Sequence, residues 1–304
     1  MPAEISVIVI TWNRAGLLRQ ALASLVHQHC PVSEVVVIDN GPGPETAEAA
    51  RWAAESIPLR YCPEPRRGYG AARNRGLREA SGRWLLFLDD DCVAEPDWTA
   101  KLIAPLQRGE AELVGGSRDC IQPGLAARLD YLSADAPMLH PALPRRYVHH
   151  LSTSNLAMAR DTAARVGWFH EQLSTCEDRD FCVRAGALGC RLLYEPGALV
   201  HHQPPIHHLG DYLRRMARYG RGTSEYFLLH RERERLAKIF PASPALRLLL
   251  LPALAALGSA YLVAKNWPRE PAALWLSPLL CCGQLAWHWG GFQAVRTPLR
   301  PVRS

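Results

Sequence analysis

Lysine is almost missing from this chain. Of 35 basic residues only three are lysine, at 101, 238 and 265, so the formal charge of +6 is carried by arginine. Arginine grips phosphates and carboxylates through two parallel bonds, although a base-composition bias of the source would produce the same skew. Metal-finger patterning is missing too. The nine cysteines include no C-x-x-C pair and no Cys/His finger spacing, which argues against a structural zinc site. Their odd number, without the spacing of a secreted framework, implies reduced thiols in a cytosolic setting. An apolar run begins within a few residues of the N-terminus, leaving no room for a signal peptide. Internal repeats and low-complexity tracts are also lacking. What remains is 48% hydrophobic and 21% charged, a globular composition, and 304 residues suffice for one large domain with an appendage.

Within that composition, three consecutive acids, Asp89-Asp90-Asp91, end the apolar run Arg83 to Leu88. Such a run reads as a strand covered on both faces, so the acids emerge at its carboxyl end. In open α/β sheets that edge is where ligands bind. Adjacent carboxylates repel one another, and hard oxygen donors suit Mg²⁺ or Mn²⁺ with phosphate oxygens in the remaining positions. An Asp-rich turn before a helix is the plainer reading of the triplet by itself.

The surroundings of the triplet are regular. Strands are expected at Ile5 to Thr11, Glu34 to Asp39, Leu59 to Cys62 and Arg83 to Leu88, with helices at Pro44 to Ser56, Tyr69 to Ala80 and Pro96 to Gln107. Another helix is expected between the first two strands, its inner face formed by Leu18, Ala21, Leu22 and Leu25. Repeated β-α units of this length imply a mostly parallel sheet with helices on both faces. Residues 117–150 show little periodicity. Regularity returns with a strand at Ser152 to Ala159, a helix at Glu177 to Leu188, and two short strands, Arg191 to Tyr194 and Ala198 to His202.

From Leu209 the character changes. Residues 209–240 read as a basic amphipathic helix, with Arg214, Arg215, Arg218, Arg221, Arg231, Arg233, Arg235 and Lys238. Interleaved Glu225, Glu232 and Glu234, without an aromatic platform, speak against nucleic acid as a partner. Two apolar stretches follow, Leu248 to Ala264 and Pro271 to Trp287, each near the lower length limit of a membrane span. They fit a membrane-associated hairpin with both ends cytoplasmic, or a helical pair packed against protein. The domain expectation is a catalytic domain over 1–208, the basic segment 209–240 and an apolar hairpin over 241–304.

The strand tips carry Thr11-Trp12-Asn13-Arg14, Ile38-Asp39-Asn40-Gly41 and the aspartate triplet. Gly68-Tyr69-Gly70-Ala71-Ala72-Arg73-Asn74-Arg75-Gly76 lies between them, and Ser154-Asn155-Leu156 and Glu177-Asp178-Arg179-Asp180 follow. In this order the chain resembles family 2 glycosyltransferases of GT-A (Rossmann-like) fold, over about residues 4 to 225. The resemblance implies an inverting, metal-dependent transfer of a hexosyl or deoxyhexosyl unit from a UDP-, dTDP- or GDP-linked sugar. The acceptor would be a saccharide or lipid-linked hydroxyl of the cell envelope, at the cytoplasmic face of the membrane. It implies donor binding by Thr11, Asn13, Arg14, Asp39, Gly70, Arg73, Asp89 and Asp90. Asp91 would hold Mg²⁺ or Mn²⁺, with Asp89 and His202 as further ligands. Asp178 would be the catalytic base and Glu177 its neighbour. Trp12, Trp168 and His170 depart from the usual pattern, which leaves the acceptor open. The Gln-x-x-Arg-Trp element of processive synthases is absent, implying single or limited additions.

Two other functions compete. A sugar nucleotidyltransferase would need a Gly-rich loop after the first strand, which Thr11-Trp12-Asn13-Arg14 does not supply. A non-catalytic membrane partner retaining nucleotide affinity needs no base at Asp178. Gly68-x-Gly70 does not signal a dinucleotide, because Arg73 stands where the third glycine belongs.

Overall fold

The structure, a computed structural model, describes residues 5–232, 241 and 243–297. Contacts divide the chain into two compact units. One comprises the residues through Ile121 with Leu139–Glu171 and Asp178–Pro204; the other comprises Gln122–Met138, Gln172–Glu177 and the residues from Pro205 onward.

The first unit contains a nine-stranded sheet. In chain order its strands are β1 (Ile5–Thr11), β2 (Glu34–Asp39), β3 (Leu59–Pro63), β4 (Trp84–Asp89), β5 (Cys92–Ala94), β6 (Leu113–Cys120), β7 (Arg146–Val148), β8 (Asn155–Ala159) and β9 (Leu192–His202). Their spatial order is β3-β2-β1-β4-β8-β6-β9-β5, with β7 also paired to β9. The first four are parallel, β6 and β9 are parallel to each other, and β8 runs against both its neighbours.

Period-two alternation sorts the apolar side chains onto the two faces. Val7, Val9, Val35, Val37, Leu86 and Leu88 pack with α1 (Ala15–Val26), α2 (Pro44–Ala54) and α4 (Trp98–Gln107). Ile8, Ile10, Val36, Ile38, Leu85 and Phe87 pack with α3 (Tyr69–Glu79), α7 (Arg160–Val166) and α8 (Glu177–Ala187). Burying each such side chain is worth roughly 1.5–3 kcal/mol. The expected mostly parallel sheet covered on both faces is therefore present.

Several sequence expectations are corrected. The segment 117–150 is structured: β6 runs on to Cys120, and α5 (Leu125–Ala134), α6 (Ala136–Leu139) and β7 follow. Leu192–His202 form one strand, not two. Pro196-Gly197 interrupts the apolar pattern, but β6 accommodates the break with a register shift between Gly116 and Ser117.

The second unit is helical. It includes α5, α9 (Leu209–Leu229), α10 (Pro244–Asn266), α11 (Ala272–Trp275) and α12 (Ser277–Arg296). The expected basic helix thus ends at Leu229, and residues 233–240, with Arg233, Arg235 and Lys238, lie outside the described ones. Among the described residues only α10 is long and apolar enough to cross a membrane, and 22% of its apolar window is buried. The second stretch of the expected hairpin is broken into α11 and α12 and does not reach that threshold.

Candidate active site

Parallel pairing brings the strand tips to one edge. Thr11 pairs with Asp39, and Ile10 with Asp89. Thr11 Oγ1 donates to Asp90 Oδ2 at 2.7 Å, and Arg14 Nη1 reaches Asp90 Oδ1 at 3.1 Å and Asp91 Oδ2 at 3.2 Å. From the far side, β5 and β9 pair in antiparallel register with Cys92 opposite His202. That register sets His202 Nε2 3.6 Å from Asp91 Oδ1, while Gln203 N donates to the Asp91 carbonyl at 2.7 Å. Arg73, from α3, donates to Asp89 Oδ1 at 3.4 Å.

The crowding has an electrostatic signature. Burial, then repulsion from Asp91, pushes the Asp90 carboxyl up to about 7 against the pull of Arg14 and the Thr11 hydroxyl. Burial also raises Asp89, opposed by Arg73 and reinforced by Asp91. Arg14 is raised as well: burial lowers it, but attraction to Asp90 and Asp91 wins. Arg14 serves Asp90 and Asp91 while Arg73 and Arg118 act on Asp89, yet Asp91 still raises both Asp89 and Asp90, a repulsion that a bound cation would relieve.

Asp178 stands at the start of α8, where its Oδ1 accepts from Arg179 N at 2.7 Å and lies 3.6 Å from His150 Nε2. Burial alone would raise its carboxyl; His150, Arg73 and the Arg179 N–H overcome that and hold it at about 2. Arg73 therefore acts on both Asp89 and Asp178, placing the two acids in one electrostatic neighbourhood. Glu177 is buried beside it.

Other expected donor residues are engaged within the protein. Asp39 is fully buried. It accepts from Gly41 N at 2.9 Å and Tyr61 Oη at 2.7 Å, and also from the Thr46 hydroxyl. Asn13 adopts φ +52°, a left-handed conformation that Asn tolerates. With its amide oriented to satisfy both ends, it donates to Gly41 O at 2.7 Å and accepts from Trp12 Nε1 at 3.2 Å. Gly70 is needed for packing, since a Cβ there would lie 2.6 Å from His170 O. Trp12 is exposed, with the Arg67 guanidinium 5.1 Å above its ring. Trp168 is exposed beneath Arg78.

Sequence reasoning missed three groups. His150 and Arg118, the latter acting on Asp89 from β6, both come from the segment without periodicity. Asn40 pins the 64–68 loop through Glu64 O, Arg66 O and Gly68 N. Asn74 bonds both the N–H and the carbonyl of Phe169. The only signal for Asn40 was its place directly after a strand-end Asp.

Known proteins place this architecture in a family. The family model Glycosyl transferase family 2 matches residues 6–167, more than half the chain. Glycosyltransferase AglE of Haloferax volcanii is 30% identical over 233 residues, 75% of this chain and 75% of that protein. Two further curated relatives are longer, and the chain spans 35% and 48% of their lengths. Among solved structures, the mannosyltransferase PcManGT from Pyrobaculum calidifontis, in complex with GDP-Man and Mn²⁺, superimposes with a TM-score of 0.62 at 21% identity. It covers 92% of this chain and 85% of its own. S. aureus TarS 1–349 in complex with UDP-GlcNAc gives 0.56 at 16% identity, covering 97% and 92%. The chain belongs to glycosyl transferase family 2 and has the GT-A fold. It is a glycosyltransferase.

Proposed function

We propose that the protein is an inverting, divalent-metal-dependent glycosyltransferase. It moves a hexosyl or deoxyhexosyl unit from a nucleoside-diphosphate donor to a hydroxyl of a lipid-linked or membrane-proximal acceptor. The carrying observation is the pairing of a crowded acid cluster with an ionised Asp178, both under the influence of Arg73.

No three His, Cys, Asp or Glu side chains among the described residues form a metal cage by themselves. Asp91 and His202 nevertheless stand side by side at 3.6 Å, and a carboxylate with an imidazole is a donor set that suits Mn²⁺ when phosphate oxygens complete it. Asp91 and His202, with Asp89, would hold Mg²⁺ or Mn²⁺, which when bound offsets negative charge developing on the departing diphosphate. Thr11 and Arg14 fix the acid turn, while Asn13 shapes the tip that meets the nucleotide. Asp39 and Gly70 act on the donor pocket by holding the turn after β2 and the start of α3. Asp178 takes the proton of the attacking hydroxyl, and its depressed carboxyl keeps it ionised at neutral pH. Glu177 supports it at the helix start.

The exposed leucines of α10, such as Leu249 and Leu257, support attachment at the cytoplasmic membrane face, peripherally or through this helix. A thermal-shift screen of UDP, GDP and dTDP, each with and without Mn²⁺, tests the donor assignment, because ligands of the folded state raise Tm. A metal-dependent shift from one nucleotide, and nucleoside diphosphate rather than pyrophosphate as product, are expected. No shift with any of the three would sink the reading.

A further inference from the structure

The segment Gln172–Glu177, which leads directly into Asp178, is fastened to α9 within the helical unit. Glu225, itself buried, accepts from Ser174 N at 3.1 Å and from Ser174 Oγ at 2.6 Å with one oxygen. Its other oxygen accepts from Arg221 Nε at 2.9 Å. One turn earlier, Gly222 allows Thr175 to lie directly on the helix: a Cβ at 222 would sit 1.9 Å from Thr175 Oγ1 and 2.9 Å from its backbone N. Cys176 Sγ is 3.6 Å from Thr223 Oγ1. At Cys176 the chain is held at φ +68°, a left-handed conformation rare for a side-chain-bearing residue and retained only where surroundings enforce it.

Three unrelated features thus specify the backbone path immediately before the acidic pair: a buried carboxylate, a glycine that permits close approach, and a strained residue. Generic loop anchoring does not require all three at successive positions. A carboxylate acting as a base must meet the acceptor hydroxyl at hydrogen-bond distance, and a displacement of about 1 Å costs on the order of a hundredfold in rate.

We infer that Glu225 is a positioning residue for the transfer step, setting the location of Asp178 through the 172–177 segment that it and Gly222 clamp to α9. The inference rests on Asp178 being the base. Glu225 touches neither donor nor acceptor in this scheme; it acts by fixing the chain at Ser174, upstream of the group that does.

The test uses the full chain with Mn²⁺ and whichever of UDP-glucose, GDP-mannose or dTDP-rhamnose it turns over, reading nucleoside diphosphate release. Glu225→Gln and Gly222→Ala should each lower kcat about tenfold or more, with donor KM and the nucleotide-induced Tm shift unchanged. Alanine favours a helix interior over glycine, so a slow but folded Gly222→Ala enzyme points to the clamp. Adding Thr175→Gly, which removes the struck Oγ1 and Cβ, should recover part of the rate. Ser174→Ala deletes a single hydroxyl and should show a smaller loss of the same kind even if Glu225→Gln folds poorly. In an Asp178→Asn background, Glu225→Gln should cost nothing further. Unchanged kcat in the folded Gly222→Ala and Ser174→Ala enzymes would overturn the inference, as would losses that multiply with Asp178→Asn. A fully active Asp178→Asn enzyme would remove the base assignment itself, and the positioning role with it.

Discussion

Acids at opposite ends of the parallel strands behave in opposite ways. At the amino end, Glu34 opens β2 and accepts from Ser6 Oγ, Ser81 N, Ser81 Oγ and Arg60 Nη2. Burial pushes its carboxyl up, but those donors prevail and hold it at about 2. At the carboxyl end, Asp90 has Thr11 and Arg14, yet burial and Asp91 carry it to about 7. The first acid is satisfied by its neighbours and pins strands together. The second belongs to a cluster whose acids still raise one another despite nearby arginines, the condition of a site prepared for a ligand.

The contrast is most sharply tested by activity. Asp178→Asn should reduce turnover by roughly 10²–10⁴, and Asp91→Asn by roughly 10²–10³, as for loss of one electrostatic stabiliser. Nucleotide-sugar turnover assays read both. Glu34→Gln should leave the turnover of folded enzyme within about twofold, since its partners are structural; a large loss there would erase the distinction between the two ends.

Next in size is the acid limb of kcat. Asp178 is depressed to about 2, so its deprotonated form persists through mildly acidic pH. His150→Ala removes a leading cause of that depression, so the limb of the pH–rate profile should move to higher pH. An unmoved limb would show that His150 does not act on the base.

Stability against pH should slope in opposite senses at the two ends. The folded-state value of Asp90 lies above the unfolded one, about 4. Its contribution is therefore fully present below pH 4 and lost as pH rises through about 7. Without divalent cations, Asp90→Asn should raise Tm above pH 7 and flatten that loss. Glu34 is depressed, so its contribution is present above about pH 4.3 and lost as pH falls through about 2. The smallest effect is at neutral pH, where Glu34→Gln should cost about 1–2 kcal/mol in denaturant unfolding, for charge-assisted bonds on a side chain still 14% exposed.

How much of this was legible depends on pattern. β1 and β2 were bounded correctly from sequence because buried parallel strands are unbroken apolar runs ended by polar tips. The acid triplet and the Glu177-Asp178 pair were found because they interrupt such regularity. β6 was missed altogether; its second half, Ser117-Arg118-Asp119-Cys120, is polar, its pairing being supplied by β9 rather than by its own composition. His150 was illegible for the same reason: nothing local distinguishes it, and only the folded chain carries it to Asp178. Asp39 shows the converse, since its position at a strand end gave no hint that Thr46, Tyr61 and Gly41 already occupy its oxygens.

The reversed direction of β8 has a consequence of its own. Its neighbours β4 and β6 deliver their final residues to the catalytic rim, whereas β8 delivers its first, with Asn155 beside Leu88. Chain arriving at that strand therefore passes the rim before entering the barrier of packed hydrophobes, which is how His150 reaches its place. The approach to β8 thus lies at the rim and outside the ladder, whose register with β4 and β6 does not depend on it.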